Sequence, residues 1–451
     1  MNKWKMENGK WKMENLKLKK LFLYFLFTLV LNAQSFNDIR LSIENSLKYK
    51  LAQKKVEIYK EKLKSVKAKN YGSLDLEYNA VHLFNQPVMK LTTKQPVAVA
   101  SDGVHLVYQT FGSELPMSDK NHFVGSIVYS YPIFTGFAVT NLISKSKLEL
   151  IKSKLDLQNV KRELLLNAAN LYANIYALKC QINALESAKM ALLSAKDKAE
   201  GFYNEGLINR SSLDEINAKY YEVIADIKNL QAQKKSLLNS LSYLVNEKIE
   251  KIDGIIDLNK IKFKPNFNNR PDVKAIKKTL AISDKDIKLA KSKLYPQVAF
   301  QIGLKREGDN IALSENDYQN IDKSYAAIGI KYNIFDGGAT KAEIEMAKKA
   351  KLSTLLFYND YLKNIKTEYE NDFNTYNALF YRLKSAKEEI KARKSYYEYI
   401  RAKFNEGLAD SSDLNDAIAK LSGAKAKRDA IKAQIFLLNV KLKLNGGEYV
   451  Y

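Results

Sequence analysis

FYNEGLINRSSLDEINAK, residues 202–219, recurs 201 residues later as KFNEGLADSSDLNDAIAK, residues 403–420. Both copies contain the tetrapeptide Asn-Glu-Gly-Leu. Glycine accepts the left-handed backbone conformation that ends many helices, so each copy predicts a tight turn between two helices, at Gly206 and at Gly407. Serine pairs follow both turns, and we expect one serine of each pair, 211–212 and 411–412, to cap the returning helix.

Long helices are predicted on both sides of each turn. No proline occurs between Pro132 and Pro265, or after Pro296, and a proline inside a helix costs about 3 kcal/mol. Apolar residues alternate in steps of four and three, which predicts left-handed coiled-coil packing. This seam consists of Leu164, Ala168, Leu171, Ile175, Leu178, Ile182 and Leu185. Its counterpart in the second half consists of Ile365, Tyr369, Asp372, Tyr376, Leu379, Leu383 and Ala386.

Four other segments alternate with a period of two residues and are predicted strands of about ten residues. They are 71–80, 123–133, 296–305 and 326–334. One face of each is apolar and the other is polar or small. This length and pattern are typical of membrane-spanning β-strands whose apolar side chains face lipid.

The chain is predicted to be a tandem duplication. YPIFTGF at residues 131–137 matches YNIFDGG at 332–338 with the same offset of 201 residues. The first strand hairpin is 23 residues longer than the second, and the surplus lies within about 85–121. The first repeat covers 34–246, with a β-hairpin at about 71–134 and a helical hairpin at about 138–246. A linker covers 247–269, and the second repeat covers 270–451, with hairpins at about 295–335 and 339–445.

Four strands per chain cannot close a membrane barrel, because the smallest such barrels have eight strands. An open sheet edge in lipid leaves unpaired backbone groups, each costing several kcal/mol. We therefore expect several copies to share one barrel, with eight strands from two chains or twelve from three. The predicted fold class is an α+β membrane protein in which a barrel continues into a long helical tube.

The N-terminus predicts export from the cytoplasm. Three lysines at 17–20 precede the apolar run 21–31, and Ala33 follows at a plausible cleavage site, so residues 1–33 are predicted to be a signal peptide. The single cysteine, Cys180, excludes an intramolecular disulfide. The net charge of +23 is spread over lysines with glutamates between them, which favours a solvated surface. An exported chain is not expected to bind nucleic acid.

These features together resemble the outer-membrane efflux protein family, the TolC-like channels. The resemblance rests on the repeated turn with Leu213 and Leu414 after it, on the corner YNIFDGG, and on NRPDV at 269–273. It implies a homotrimer with a 12-stranded barrel in outer-membrane lipid of a Gram-negative bacterium. It also implies a closed helical tip in the periplasm, a periplasmic adaptor (membrane fusion) protein and an inner-membrane transporter as partners.

The resemblance also suggests site residues. Two turns in each of three chains would form a ring of six tips for the adaptor. The predicted contact residues are Gly206, Leu207, Arg210, Ser211, Gly407, Leu408, Ser411 and Ser412. By motif position, the acidic constriction of the family falls on Asp413 and Asp416, although both are also ordinary acids of a first helical turn. The family often has a basic residue at the position of Ala409 and an aspartate at that of Ser212. With Arg210 as the nearby cation, we expect a different or weaker closing network.

No cofactor, bound metal or enzyme activity is expected. The sequence lacks a phosphate-binding glycine loop and a nucleophile motif. The histidines His82, His105 and His122 all lie in the first hairpin, where packing is favoured over a metal site although His82 and His122 could face each other. The predicted function is a passive exit duct for small-molecule efflux or type I secretion. The alternative is a structural or adhesive trimeric coiled-coil protein of the cell surface.

Overall fold

The computed structural model describes residues 33–254, 258, 260–261 and 264–448, together with the backbone of 5–7 and 10–12. The apolar run of the predicted signal peptide lies outside the described residues. Near the N-terminus, β1 (Lys5–Glu7) pairs with β2 (Lys10–Lys12) in an antiparallel sense.

Helices make up most of the described chain, and two of them, α3 and α6, have 67 residues each. Both long helices fall where proline is missing from the sequence, as predicted. The α-helices are α1 (Phe36–Ser42), α2 (Leu47–Ala68), α3 (Ala138–Asn204), α4 (Arg210–Val245), α5 (Pro271–Ser292), α6 (Ala339–Asn405) and α7 (Ser411–Asn445). Short 3-10 turns occupy Ile43–Asn45, Lys69–Tyr71 and Phe267–Asn269.

The remaining strands form two sheets. They are β3 (Ser73–His82), β4 (Val88–Val99), β5 (Leu106–Pro116), β6 (Asn121–Thr135), β7 (Gln297–Gly308) and β8 (Tyr325–Lys331). A four-stranded antiparallel sheet has the order β3-β6-β7-β8, so strands of both repeats share it. Within the described residues, β4 and β5 pair only with each other, in a sheet of their own.

The register of the four-stranded sheet gathers apolar side chains on one face. Leu76 pairs with Ile127, which in turn pairs with Leu304, and residues paired across neighbouring strands point to the same side. Leu76 is 78% exposed and Ile330 is 72% exposed. Around these residues the face is therefore apolar and exposed within the part of the chain that the structure describes, as the period of two residues predicts.

Two details of the strands differ from the sequence prediction. The surplus of the first hairpin, expected only as extra length within 85–121, contains the paired strands β4 and β5. Its alternation is interrupted by Pro96, where the register shifts by one residue, and an irregular pattern hides a strand from periodicity. In the second hairpin, β8 ends at Lys331, three residues before the predicted end.

Strand and helix meet at similar corners in both repeats. Gly136 and Phe137 have φ of +61° and +68°, and Gly337 and Gly338 have +65° and +91°. In the second corner the Asp336 carboxylate accepts a hydrogen bond from the backbone N–H of Thr340 at 2.9 Å. The repeated IF-x-G sequences thus direct the chain from the sheet into α3 and α6.

The chain divides into two compact units that cut across the sequence repeats. One unit consists of 1–54, 155–274 and 359–451, and the other of 55–154 and 275–358. Each unit contains segments of both repeats. The second unit holds the sheets formed by β3 to β8, and the first holds the repeated turns and the helical core.

The predicted seams are buried in the core of the first unit. Leu164, Ala168 and Ile175 are at most 2% exposed, and Tyr376 and Leu379 of the second seam are similarly buried. The polar member of the second seam, Asp372, accepts a hydrogen bond from Lys441 Nζ at 2.9 Å. An ion pair thus replaces one apolar contact of the heptad pattern.

Candidate functional site at the helix tips

The first repeated turn closes α3 with paired backbone hydrogen bonds. Gly206 has φ of +74°. The Leu207 N–H donates to the Phe202 carbonyl at 2.8 Å, and the Gly206 N–H donates to the Tyr203 carbonyl at 3.0 Å. This pattern is a Schellman motif, which requires a left-handed residue at the glycine position.

The second turn repeats this geometry at the end of α6. Gly407 has φ of +73°. The Leu408 N–H donates to the Lys403 carbonyl at 2.8 Å, and the Gly407 N–H donates to the Phe404 carbonyl at 3.1 Å. The two turns are therefore equivalent in conformation as well as in sequence, as predicted.

The predicted serine caps are wrong. Asn209 Oδ1 accepts the Ser212 N–H at 2.9 Å, and Asp410 Oδ1 accepts the Asp413 N–H at 2.9 Å. Asn209 and Asp410 have the extended backbone of cap residues and precede the first helical residue, whereas the serine pairs 211–212 and 411–412 lie inside the helices.

The tips expose apolar side chains to solvent. Leu207 is 65% exposed and Leu408 is 69% exposed, directly after the two exposed glycines. Arg210 and Ser211 are exposed too. By contrast, Ser411 is only 3% exposed, which removes its side chain from the surface that a partner could reach. The first helical turn of α7 packs this residue inward.

A hydrophobic cluster packs between the helices next to the two turns. It includes Ile216, Phe404, Leu414 and Ala417, each at most 3% exposed, and Leu213 packs against its edge. Leu213 and Leu414 therefore belong to the core, unlike the exposed Leu207 and Leu408. This packing holds the exposed tips in a defined position.

The predicted constriction residues lie together on one face of α7. Asp413 and Asp416 are exposed and separated by three residues, so they lie one turn apart. Asp416 pairs with Lys420 at 2.5 Å on the same helix. Asp413 lies in the first turn of α7, where the helix dipole favours an acid. The geometry is compatible with both interpretations of these aspartates.

The tip carries Arg210, which the sequence analysis named, and Lys403, which it missed. Arg210 pairs with Asp214 of its own helix at 3.6 Å. Lys403, in the last turn of α6, has a raised pKa because its ammonium bonds to Tyr399 and also feels the charge of Asp413. The first repeat has Phe202 at the position equivalent to Lys403. This difference between the two copies was the signal in the sequence that could have identified Lys403.

A second cluster surrounds the NRPDV motif and is buried. Arg162, Arg270 and Asp272 are 7%, 4% and 8% exposed. Asp272 Oδ2 accepts hydrogen bonds from Arg270 Nη2 at 2.6 Å, Arg162 Nη2 at 3.2 Å and Tyr361 Oη at 2.8 Å. Burial would raise the pKa of Asp272, but the hydrogen bonds and charge of Arg270, with Arg162, hold it below its usual range.

This buried cluster also holds the C-terminal end of α7. Arg162 Nη1 donates to Asn445 Oδ1 at 2.7 Å, and Arg270 Nη1 donates to the Asn445 carbonyl at 3.3 Å. Asn445 is the last residue of α7, where the helix dipole is negative. The carboxylate of Asp272 and the negative end of α7 together compensate the positive charges of the two arginines. The helices α3, α5, α6 and α7 meet at this cluster.

The histidines do not come together as a metal site. His82 pairs with Asn121 and His122 pairs with Val81, so His82 and His122 point to opposite faces of the sheet. His82 Nδ1 lies 2.8 Å from Asn121 Oδ1, and His105 contacts Asp102 in its own turn. Within the described ranges, no cluster of three His, Cys, Asp or Glu residues could hold a metal ion.

Residues 267–439 match the family model of the outer membrane efflux protein. The chain is 23% identical over 161 residues to nodulation protein T of Rhizobium leguminosarum bv. trifolii, and the alignment covers 36% of the chain and about a third (34%) of that relative. These matches confirm the predicted resemblance to outer membrane efflux proteins.

Solved outer-membrane proteins share the fold. The chain is 16% identical to the Campylobacter jejuni CmeC outer membrane channel, with a TM-score of 0.73 over 92% of this chain and 85% of that one. It is 15% identical to the outer membrane protein VceC of Vibrio cholerae, with a TM-score of 0.72 over 91% and 96%. The matched family and these neighbours are described as efflux, channel and outer-membrane proteins, not as enzymes. None of the described helices has the length and hydropathy to cross a bilayer.

Proposed function

We propose that this chain is the outer-membrane channel of a tripartite efflux system, a passive duct that an adaptor connects to an inner-membrane pump. The observation that carries the proposal is the open four-stranded sheet with one continuous apolar face, joined by its corners to 67-residue helices. Such a face suits lipid, and such helices suit a duct on the periplasmic side.

The edges of the sheet support a shared barrel. β3 and β8 are the edge strands, and each leaves a row of backbone groups without a partner strand among the described residues. In the proposed trimer, β8 of one copy pairs with β3 of the next, which gives twelve strands and no open edge. Every strand then has partners for its backbone N–H and C=O groups, which are costly to leave unpaired in lipid.

Exposed apolar residues along α6 support the same assembly. Leu352 is 50% exposed, Leu355 is 40% exposed and Leu356 is 62% exposed, and their spacing of three and four residues places them on one face of α6. Large apolar side chains exposed along a helix mark an interaction surface. In the proposed trimer, helices of the neighbouring copy cover this side of α6 and complete the wall of the duct.

The tips support docking of a periplasmic adaptor. Leu207 and Leu408 present apolar side chains on rigid Schellman turns, and three copies present six such turns. An adaptor hairpin with small apolar residues at its end would cover these leucines. Asp413 and Asp416 of three copies would form two carboxylate rings that concentrate cations at the entrance.

The assembly is tested by light scattering on protein extracted from outer membranes in detergent. We expect a trimer that inserts into planar bilayers and passes a current. A folded monomer, or a trimer that never conducts, would overturn the channel proposal. A trimer that conducts but does not restore drug resistance or protein secretion to cells lacking their own channel would retain the duct and exclude the tested pump system.

The coiled-coil surface protein is the alternative, and no observation on the described residues favours it. A structural stalk would need its strands at one end of the chain only. Here strand pairs of both repeats lie side by side in one sheet, and each repeat returns to the helical part.

A further inference from the structure

The strands β4 and β5 form a projecting hairpin, residues 88–116, which we call the arm. Its strands have 12 and 11 residues, pair antiparallel and belong to no larger sheet. Every residue of both strands is exposed. An isolated two-stranded hairpin is marginally stable in water, so the arm is expected to need a covering surface.

The chemistry of the arm indicates which part needs covering. An ion pair between Lys90 and Glu114, at 3.1 Å, lies near its base. Towards the far end, apolar side chains flank the turn: Val99 is 59% exposed, Val104 is 80% exposed and Tyr108 is 58% exposed, while the turn itself contains Asp102, which contacts His105. Exposed apolar side chains on both strands beside the turn make this end suited to burial.

The loop of the other hairpin behaves differently and serves as an internal comparison. Residues 309–324 join β7 to β8 and fold back on their own sheet. The Ile311 carbonyl accepts a hydrogen bond from Tyr78 Oη at 2.8 Å, and Leu313 packs so closely on Gly125 that a Cβ there would lie 2.6 Å from it. The loop of the second repeat is thus covered by the four-stranded sheet, whereas no described part of the chain covers the arm of the first repeat.

The position of the arm indicates its partner. The arm follows β3, which is an edge strand of the four-stranded sheet, and it leaves the sheet at the end opposite to the helices. In the proposed trimer, β3 meets β8 of the next copy. The arm therefore stands at the seam between two copies, at the outer mouth of the barrel.

The dimensions allow the arms to meet. Twelve strands spaced about 4.8 Å apart and tilted by about 40° enclose a barrel of radius about 12 Å. A strand of 12 residues extends about 40 Å at about 3.3 Å per residue. Each arm is long enough to reach the threefold axis from the seam.

We propose that the arms of three copies of this chain pack their apolar ends together over the outer mouth and form a gate there. The inference rests on the proposed trimeric channel. An apolar constriction excludes water and ions until it is opened, so the gate would close the duct at the end remote from Asp413 and Asp416. The occupant of each arm's apolar end is thus a second copy of the chain.

Cysteine cross-linking tests the contact. Cys180 is the single cysteine, so Cys180→Ser provides a background without thiols, and Val104→Cys then places one thiol at each arm tip. Mild oxidation of trimers should yield disulfide-linked dimers, with the same yield after tenfold dilution. A matched control is Ile311→Cys, because Ile311 is 76% exposed but lies in the loop that folds on its own sheet; it should not cross-link.

Conductance provides a second readout that does not depend on the cysteine variants folding well. Deletion of residues 88–116 leaves a short hairpin like that of the second repeat, and it should raise the single-channel conductance. Trimers that conduct but show no Val104→Cys cross-link and no change on deletion would overturn the gate while leaving the channel intact. Cross-links whose yield falls on dilution, or cross-links to another protein, would also overturn it. Loss of the trimer itself in the unaltered chain would instead refute the proposed function.

Discussion

Replacement of Gly407 by valine should loosen the second tip without any steric clash. Gly407 has φ of +73°, and a Cβ added there would meet no atom within 4 Å. The cost is therefore a backbone cost, about 1–2 kcal/mol for an L-residue in this conformation and more for a β-branched one. In a trimer the same change occurs three times, so the tip ring would lose about 3–6 kcal/mol.

Hydrogen exchange of the Leu408 amide measures this effect directly. That amide donates to the Lys403 carbonyl at 2.8 Å, and the bond exists only while the turn is closed. A loss of about 1–2 kcal/mol should speed its exchange about 5- to 30-fold in Gly407→Val trimers. Because the tip is the proposed adaptor contact, efflux should fall while trimers still reach the outer membrane.

Two matched variants control for the change in size. Gly407→Asn should keep most of the protection, since asparagine tolerates the left-handed region. Gly201→Val lies in the last turns of α3, where the added Cβ also meets nothing and φ is not positive, so exchange at Leu408 should be unchanged. Equal exchange in Gly407→Val and the unaltered chain, or an equal effect of Gly201→Val, would refute the backbone argument.

Three further predictions concern the predicted acidic constriction, the buried cluster and processing. Replacing Asp413 and Asp416 together by asparagine should abolish cation selectivity and block by multivalent cations in planar bilayers; unchanged selectivity would identify them as ordinary helix-start acids. Asp272→Asn leaves two buried arginines without their carboxylate and should destabilise the protein by about 3–5 kcal/mol in denaturant unfolding. Folding lowers the pKa of Asp272, so the carboxylate's contribution to stability is fully present above the unfolded-state pKa of about 4 and is lost as the pH falls through the lower folded-state pKa. The asparagine variant should lack this loss of stability in acid. An equal loss in the variant and the unaltered chain would contradict the role of the carboxylate. Both tryptophans, Trp4 and Trp11, lie in the predicted signal peptide, so protein purified from membranes should show no tryptophan fluorescence, and a mass that includes residues 1–33 would contradict the predicted cleavage.

Local patterns were sufficient to predict the elements. A turn is determined by a few neighbouring residues, and the Asn-Glu-Gly-Leu copies correctly predicted two left-handed glycines. A heptad seam and a period of two residues are likewise properties of one segment. They predicted the buried faces of α3 and α6 and the single apolar face of the sheet before any contact between distant segments was known.

The caps show where local reasoning was too coarse. Serine, asparagine and aspartate are all good caps, and the choice between Asn209 and Ser211 depends on where the helix begins. Sequence patterns place helix ends only within a few residues. The same uncertainty placed Ser411 on the tip surface, whereas its side chain is buried in the structure.

The sequence by itself therefore determined the elements, their repetition and their apolar faces, because these depend on residues that are near one another in the chain. Only the tertiary structure decided which distant residues meet. Asp272 accepts hydrogen bonds from Arg162 and Tyr361, which are about 110 and 89 positions away, and Lys403 approaches Asp413 across a turn. Such contacts depend on how whole helices pack, and no periodicity of a single segment encodes them. The exposure of the arm is likewise a tertiary property, because it depends on β4 and β5 lying outside the four-stranded sheet.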